Sequence, residues 1–119
     1  MAKLIQFLPR ATFVGTPQSG GQDYFSDIFE AIDVGRLTLS TQVFGMSDTS
    51  GPNITCALQE TNDPCFVDGS WSQVLGFSVT GVSFAKQTAS GLRRFVRGKI
   101  TMPSGINATL SLKGIAREP

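Results

Sequence analysis

Arg36-Leu37-Thr38-Leu39-Ser40-Thr41-Gln42-Val43-Phe44 is the stretch that decides the fold class. Leu37, Leu39, Thr41 and Val43 recur at a period of two, and Thr, Val and Phe suit a pleated surface. Successive side chains of a strand point to opposite faces, so this run predicts a strand with one buried face. The same pattern continues on the C-terminal side. Asn53 to Thr61 alternates, with Ile54, Cys56 and Leu58 expected inward and Thr55, Gln59 and Thr61 outward. Trp71 to Val79 predicts a third strand anchored by Trp71 and Phe77, and Gly81 to Phe84 a short fourth. Leu92 to Met102 is the longest run, and Ala108 to Ile115 closes the set. Between the runs lie turn clusters: Gly45 to Pro52, Asn62-Asp63-Pro64 through Asp68-Gly69, and Pro103-Ser104-Gly105, the last a hairpin-style turn.

No sustained helical repeat occurs, and the spacing of strands and turns predicts an all-β chain. The expected architecture is an antiparallel β-sandwich or jelly roll with an N-terminal arm, not a series of βαβ units. Tyr24 to Ala31 is ambiguous. Phe25, Ile28 and Phe29 have helical spacing behind Asp23 as a cap, but the same residues read as an edge strand running into Ile32-Asp33-Val34. A short turn or strand is the favoured reading.

Residues 1–23 differ from residues 24–119, which form the sandwich domain. Leu4, Ile5, Phe7, Leu8, Phe13 and Val14 are apolar, and Thr16 to Gln22 reads as a flexible hinge. Two readings are open for this segment: the first strand or two of the sandwich, or an arm that docks on a neighbouring subunit. On the second reading Leu4, Ile5, Phe7 and Leu8 are partner contacts, since an exposed strand readily pairs with another sheet edge.

The chain has 119 residues, enough for one domain with its own core and too few for two. Charged residues are 16% of the chain, net charge is +1 and histidine is absent. Near-neutrality argues against nucleic-acid or membrane-surface binding driven by bulk charge. Without histidine, the commonest general base and the commonest metal ligand are missing. No Gly-x-Ser-x-Gly is present, and Ser19-Gly20-Gly21 lacks the Lys-Ser/Thr pair of a phosphate loop. The expectation is therefore a non-enzyme with no cofactor. Cys56 and Cys65 are too few for a disulfide scaffold. Both are expected as free thiols, with a bridge between them as the weaker alternative and Cys56 in phase with the core. The first ten residues are too short in their apolar part for a signal peptide, so folding in a reducing cytoplasm is expected.

Three constellations remain. Asp23, Asp27, Glu30 and Asp33, and separately Asp48, Asp63 and Asp68, could hold calcium weakly, against the plainer reading of solvated loops; no metal ligand is assigned. Trp71 is either a core anchor or an exposed stacking platform for sugar. The basic run Leu92 to Ile100 places Arg93, Phe95, Arg97 and Lys99 on one strand face. That stripe is either balanced by acids on neighbouring strands or grips an acidic protein surface; nucleic acid is a weaker expectation. Arg93, Arg97 and Lys99 join the four arm residues as candidate partner contacts. Arg94, out of phase, is expected either to lie at the strand's start or to pair with a buried acid such as Glu60 or Asp33.

Trp71…Leu75-x-Phe77…Leu92-Arg93-Arg94-Phe95-Val96-Arg97 resembles the late strands of discoidin-like jelly rolls. The larger pattern over residues 31–116 includes Leu58-Gln59-Glu60-Thr61-x-Asp63 and Ala108-Thr109-Leu110-Ser111-Leu112. It looks like the small β-sandwich proteins of phage virions, such as head-decoration proteins. The second resemblance implies a non-enzymatic virion subunit made in the host cytoplasm. Its partners would be copies of itself and a major capsid or other virion protein, with no membrane contact. The first implies, as the alternative, a carbohydrate-binding jelly-roll module.

Overall fold

A computed structural model describes residues 2–15, 22–48, 52–62 and 71–118. The described residues form nine strands and contain no helix. They are β1 (Ala2–Val14), β2 (Gln22–Phe25), β3 (Phe29–Glu30), β4 (Arg36–Met46), β5 (Asn53–Thr61), β6 (Ser72–Thr80), β7 (Phe84–Ser90), β8 (Phe95–Met102) and β9 (Asn107–Arg117). The first sheet has the order β1-β9-β4-β7, and the second β2-β8-β5-β6 with β3 also on β8. All pairings are antiparallel. β2 and β3 occupy one edge in line, with Phe25 opposite Lys99 and Phe29 opposite Val96. The Tyr24–Ala31 stretch is thus an edge strand interrupted at Ser26 to Ile28.

This is the antiparallel sandwich that the spacing predicts, wound as a jelly roll. Apart from the β5–β6 hairpin and the in-line β2–β3 pair, each successive strand changes sheet. Pro103-Ser104-Gly105 therefore closes no hairpin. It turns the chain from β8 in the second sheet to β9 in the first, with Gly105 at φ 73° and Ile106 N–H donating to the Pro103 carbonyl at 3.3 Å. The short strand expected over Gly81 to Phe84 is likewise a corner. Gly81 takes φ 70°, and the strand β7 begins where that reading ended.

Both inner faces carry the expected residues. Leu37, Leu39, Thr41 and Val43 are at most 1% exposed, and Ile54, Cys56 and Leu58 are fully buried. Opposite them lie Val96, Ile100 and Met102 of β8 and Leu110 and Leu112 of β9. Each such side chain contributes about 1.5–3 kcal/mol by leaving water. Thr61, expected outward, is 2% exposed. The buried Thr41 hydroxyl donates to the Ser111 carbonyl at 2.9 Å, which removes the cost of an unpaired polar group in the core.

β1 belongs to the sandwich. It pairs with β9 from Ala2–Arg117 to Val14–Asn107, with register shifts between Gln6 and Ala11. Phe7 meets Phe29 edge-on at 5.3 Å, and Phe13 meets Tyr24 edge-on at 5.1 Å. The Tyr24 hydroxyl donates to the Val14 carbonyl at 2.6 Å. Two aromatic pairs and this bond close the side of the sandwich between β1 and the β2–β3 edge. Phe7 fits because β8 and β9 offer glycine beneath it. A Cβ on Gly98 would lie 3.0 Å from Phe7 Cβ and 2.7 Å from Leu112 Cδ2, and one on Gly114 would lie 2.6 Å from Phe7 Cε2.

Cys56 is a buried free thiol; Cys65 lies outside the described residues. Burial pushes the Cys56 thiol up to about 11, against a smaller opposing pull from a hydrogen bond with Thr41. The folded state thus holds the neutral thiol, whereas the unfolded chain ionises near 9.0. This part of stability is intact below pH 9 and declines as pH rises from 9 toward 11. In a Cys65→Ser background, Cys56 is expected to resist a thiol reagent at pH 8 until the chain unfolds. Rapid labelling of the folded protein would contradict its burial.

Candidate protein-docking surface

β8 sorts its residues by strand alternation. Val96, Gly98, Ile100 and Met102 are buried, and Phe95, Arg97, Lys99 and Thr101 lie half-buried on the outer face of the second sheet. Of the expected stripe, Phe95, Arg97 and Lys99 share this face. Arg93 precedes the strand, so alternation does not govern it.

Arg97 is clamped on that face. Its guanidinium carbon stands 4.3 Å from the ring centre of Phe25 and 4.3 Å from that of Trp71. Its Nε–H donates to Gln59 Oε1 at 2.7 Å. Lys99 sits 3.7 Å from Asp23 Oδ2 and 5.8 Å from the Phe25 ring. Asp23 Oδ1 also accepts from the Thr101 hydroxyl at 2.7 Å. The Arg93 backbone N–H donates to Glu60 Oε2 at 2.8 Å, and its Nε lies 3.6 Å from Glu60 Oε1. Arg94 stands immediately before β8, at the strand's start; it lies 5.2 Å over the Phe95 ring in place of a pairing with Glu60 or Asp33, and its N–H donates to Asn62 Oδ1. Every cation of the run therefore has an intramolecular partner. The stripe fastens β2, β5, β8 and Trp71 to one another. Arg97→Ala is expected to lower stability by about 1–2 kcal/mol through two lost stacks and one hydrogen bond. Arg97→Lys should recover less than half, because an ammonium does not lie flat between two rings. Chemical denaturation of the two variants checks this.

Trp71 is not a core anchor. It is half-exposed on the outer face, and the reason is one residue in β6. Leu58 pairs with Leu75 but Gln59 pairs with Gln73, which leaves Val74 as a bulge. An extra residue reverses the phase of everything before it. Leu75 and Val79 stay inward, whereas Gln73 and Trp71 turn out.

The arm residues separate too. Ile5 and Phe7 are core residues at 6% and 3% exposure, and Leu8 packs half-buried against the core. Folded, Ile5 and Phe7 have almost no surface to offer a partner. Leu4 is 57% exposed and sits opposite Ile115, itself partly exposed, on the outer face of the first sheet.

Among the described residues, no three Asp, Glu or Cys side chains come together as a metal site. Asp23, Asp27, Glu30 and Asp33 are strung along the second sheet's edge and the turn after it rather than along a helix flank. Asp63 and Asp68 lie outside the described residues. An open groove of about 500 Å³ is lined by Lys3, Glu30, Ile32, Asp33, Arg117 and Glu118 among others, mixing both charge signs around an apolar patch.

No family model and no curated protein matches this chain. Solved structures do match, at identities that show the fold alone. The PBSX exported protein XepA superimposes with a TM-score of 0.72 at 10% identity, covering 100% of this chain and 37% of that one. This chain thus spans little more than a third of XepA. The K1 cleaved adhesin domain of Lys-gingipain from Porphyromonas gingivalis W83 gives 0.60 at 9% identity, covering 100% and 99% of the two chains. VP2 of the infectious bursal disease virus subviral particle gives 0.59 at 8% identity, covering 99% and 33%.

Proposed function

We propose that the chain is a non-enzymatic structural subunit of a phage or phage-derived particle, of the capsid-decoration type. It acts by holding other protein subunits in place. The observation that carries this reading is the superposition of the chain along its whole length on part of XepA. The fold shared with VP2 supports it, since that protein forms a particle. The contacts are made by the edges of the first sheet, β1 and β7, and by its exposed apolar residues Leu4, Ile115 and Phe84. The β8 cations contribute at their exposed margins, chiefly Arg93. Partners are further copies of the chain and a major capsid or other virion protein. Particles purified from the source and probed by immunogold labelling and mass spectrometry test the reading. Stoichiometric label on the particle surface is expected, and particles free of the chain would refute it.

The carbohydrate-binding reading keeps one observation in its favour. Phe25, 46% exposed, and half-exposed Trp71 flank Arg97 on an outer face. Two partly exposed aromatic rings on one outer face are the kind of surface on which a sugar stacks. Binding on a glycan array that disappears in Trp71→Ala would favour it over particle assembly.

A further inference from the structure

The near-neutral chain is electrically two-sided. The strands of the first sheet carry Lys3, Arg10, Arg36, Lys86, Lys113 and Arg117 and not one Asp or Glu. Strand register places several on one outer face. Lys86 and Lys113 flank Ser40 in a single row, and Arg36 stands directly opposite Arg117. Like charges facing each other across strands weaken a sheet, so nothing in the folding of this sheet calls for that arrangement. Around these cations the face is Thr38, Gln42, Thr88 and other neutral residues, with Leu4, Ile115 and Phe84 exposed among them. At one end, Glu30, Asp33 and Glu118 share the groove with Lys3 and Arg117. The Lys86–Lys113 row lies outside that groove.

The opposite sign is gathered on one border of the second sheet. Residues 23–33 hold Asp23, Asp27, Glu30 and Asp33 and no Lys or Arg. Lys99 engages Asp23, whereas Asp27, Glu30 and Asp33 are exposed. Between them stand Ile28 at 47% and Ile32 at 60% exposure. This border matches the basic face in both respects: acids for its cations, and apolar side chains for its apolar patches.

We infer that the basic outer face of the first sheet, centred on Lys86 and Lys113, docks the acidic β2–β3 border around Asp27 and Glu30 of a second copy of this chain. The contact joins two different surfaces, so one copy keeps its acidic border free and the other its basic face. Repetition gives a ring or an open filament, depending on whether the rotation closes. The inference rests on the proposed structural role and names the mode of self-association. Its failure leaves presence on the particle untouched, because that presence is measured separately.

The test uses the full chain in sedimentation velocity at about 0.05 M and about 0.5 M salt, where surface charge pairs are respectively felt and screened. Wild type is expected to self-associate at low salt and dissociate at high salt. K86E/K113E and D27K/E30K should each weaken association by more than about tenfold, through like-charge contacts. An equimolar mixture of the two variants should associate again, since each then presents the complement of the other. Circular dichroism verifies that both variants fold; if reversal disturbs the sheet, K86Q/K113Q replaces it, with weaker association expected. Wild type that stays monomeric at low salt overturns the inference. So do charge reversals without effect, or a mixture that does not recover. A monomer that instead shifts on duplex DNA or heparin also overturns it, in favour of a polyanion as the occupant.

Discussion

Phe7→Ala is expected to destabilise the domain by about 3–5 kcal/mol, the range for removing a buried aromatic side chain. Phe7 is 3% exposed, packs edge-on to Phe29 and lies over Gly98 and Gly114, so its loss leaves a cavity that rigid strands cannot collapse. Half of the closure between β1 and the β2–β3 edge goes with it. At roughly 4 °C per kcal/mol for a chain of this size, the melting temperature should fall by about 12–20 °C. The docking-arm reading of residues 1–23 predicts another outcome, lost assembly with an unchanged melting temperature. Deleting residues 1–15 separates the two as well. Removal of β1 exposes the edge of β9 and is expected to abolish the cooperative transition, whereas a detachable arm would leave the β spectrum intact. Leu4→Ser is the control: at 57% exposure its side chain is outside the core, so stability should change by less than about 0.5 kcal/mol.

Gly98→Val tests the same contact from the other side. Its Cβ would fall 2.7 Å from Leu112 Cδ2 and 3.0 Å from Phe7 Cβ, both in the interior between the sheets. Overpacking of this kind costs about 1–3 kcal/mol, and two further methyl carbons place valine at the upper end or beyond. The loss should be smaller in a Leu112→Ala background, which lacks the Cδ2 atom nearest the new Cβ. A coupling of about 1 kcal/mol or more in the Leu112–Gly98 double-mutant cycle is expected, because the two residues share one space. Strictly additive losses in denaturant titrations would show that the strain lies elsewhere.

Much of the fold was legible because strand alternation is a local property. Leu37, Leu39, Thr41 and Val43 are inward in the sequence pattern and inward in the sandwich, and so are Ile54, Cys56 and Leu58. The exceptions have identifiable causes. Trp71 shares the parity of Phe77 and reads as core until the bulge at Val74 reverses it, and no residue type announces that bulge. Pro103-Ser104-Gly105 has hairpin chemistry yet serves as a corner, because a turn specifies its own geometry and not the sheet that receives the next strand. The basic run Arg93 to Lys99 was visible as a stripe. Its partners Phe25, Gln59 and Trp71 come from three separate segments, and only pairing in the second sheet brings them to Arg97.

Sequence by itself determined that this is an all-β sandwich, which side of most strands is buried, and that the chain carries no histidine. Those are consequences of composition and of a two-residue period, and both act along the chain. Only the tertiary structure decided that β1 is a wall of the sandwich, that Trp71 faces out, and that a net charge of +1 conceals a basic face and an acidic border. The reason is the winding. A jelly roll sends nearly every successive strand to the other sheet, so the cations of β1, β4, β7 and β9, far apart in sequence, come together in one sheet, while the acids of residues 23–33 lie on a border of the other.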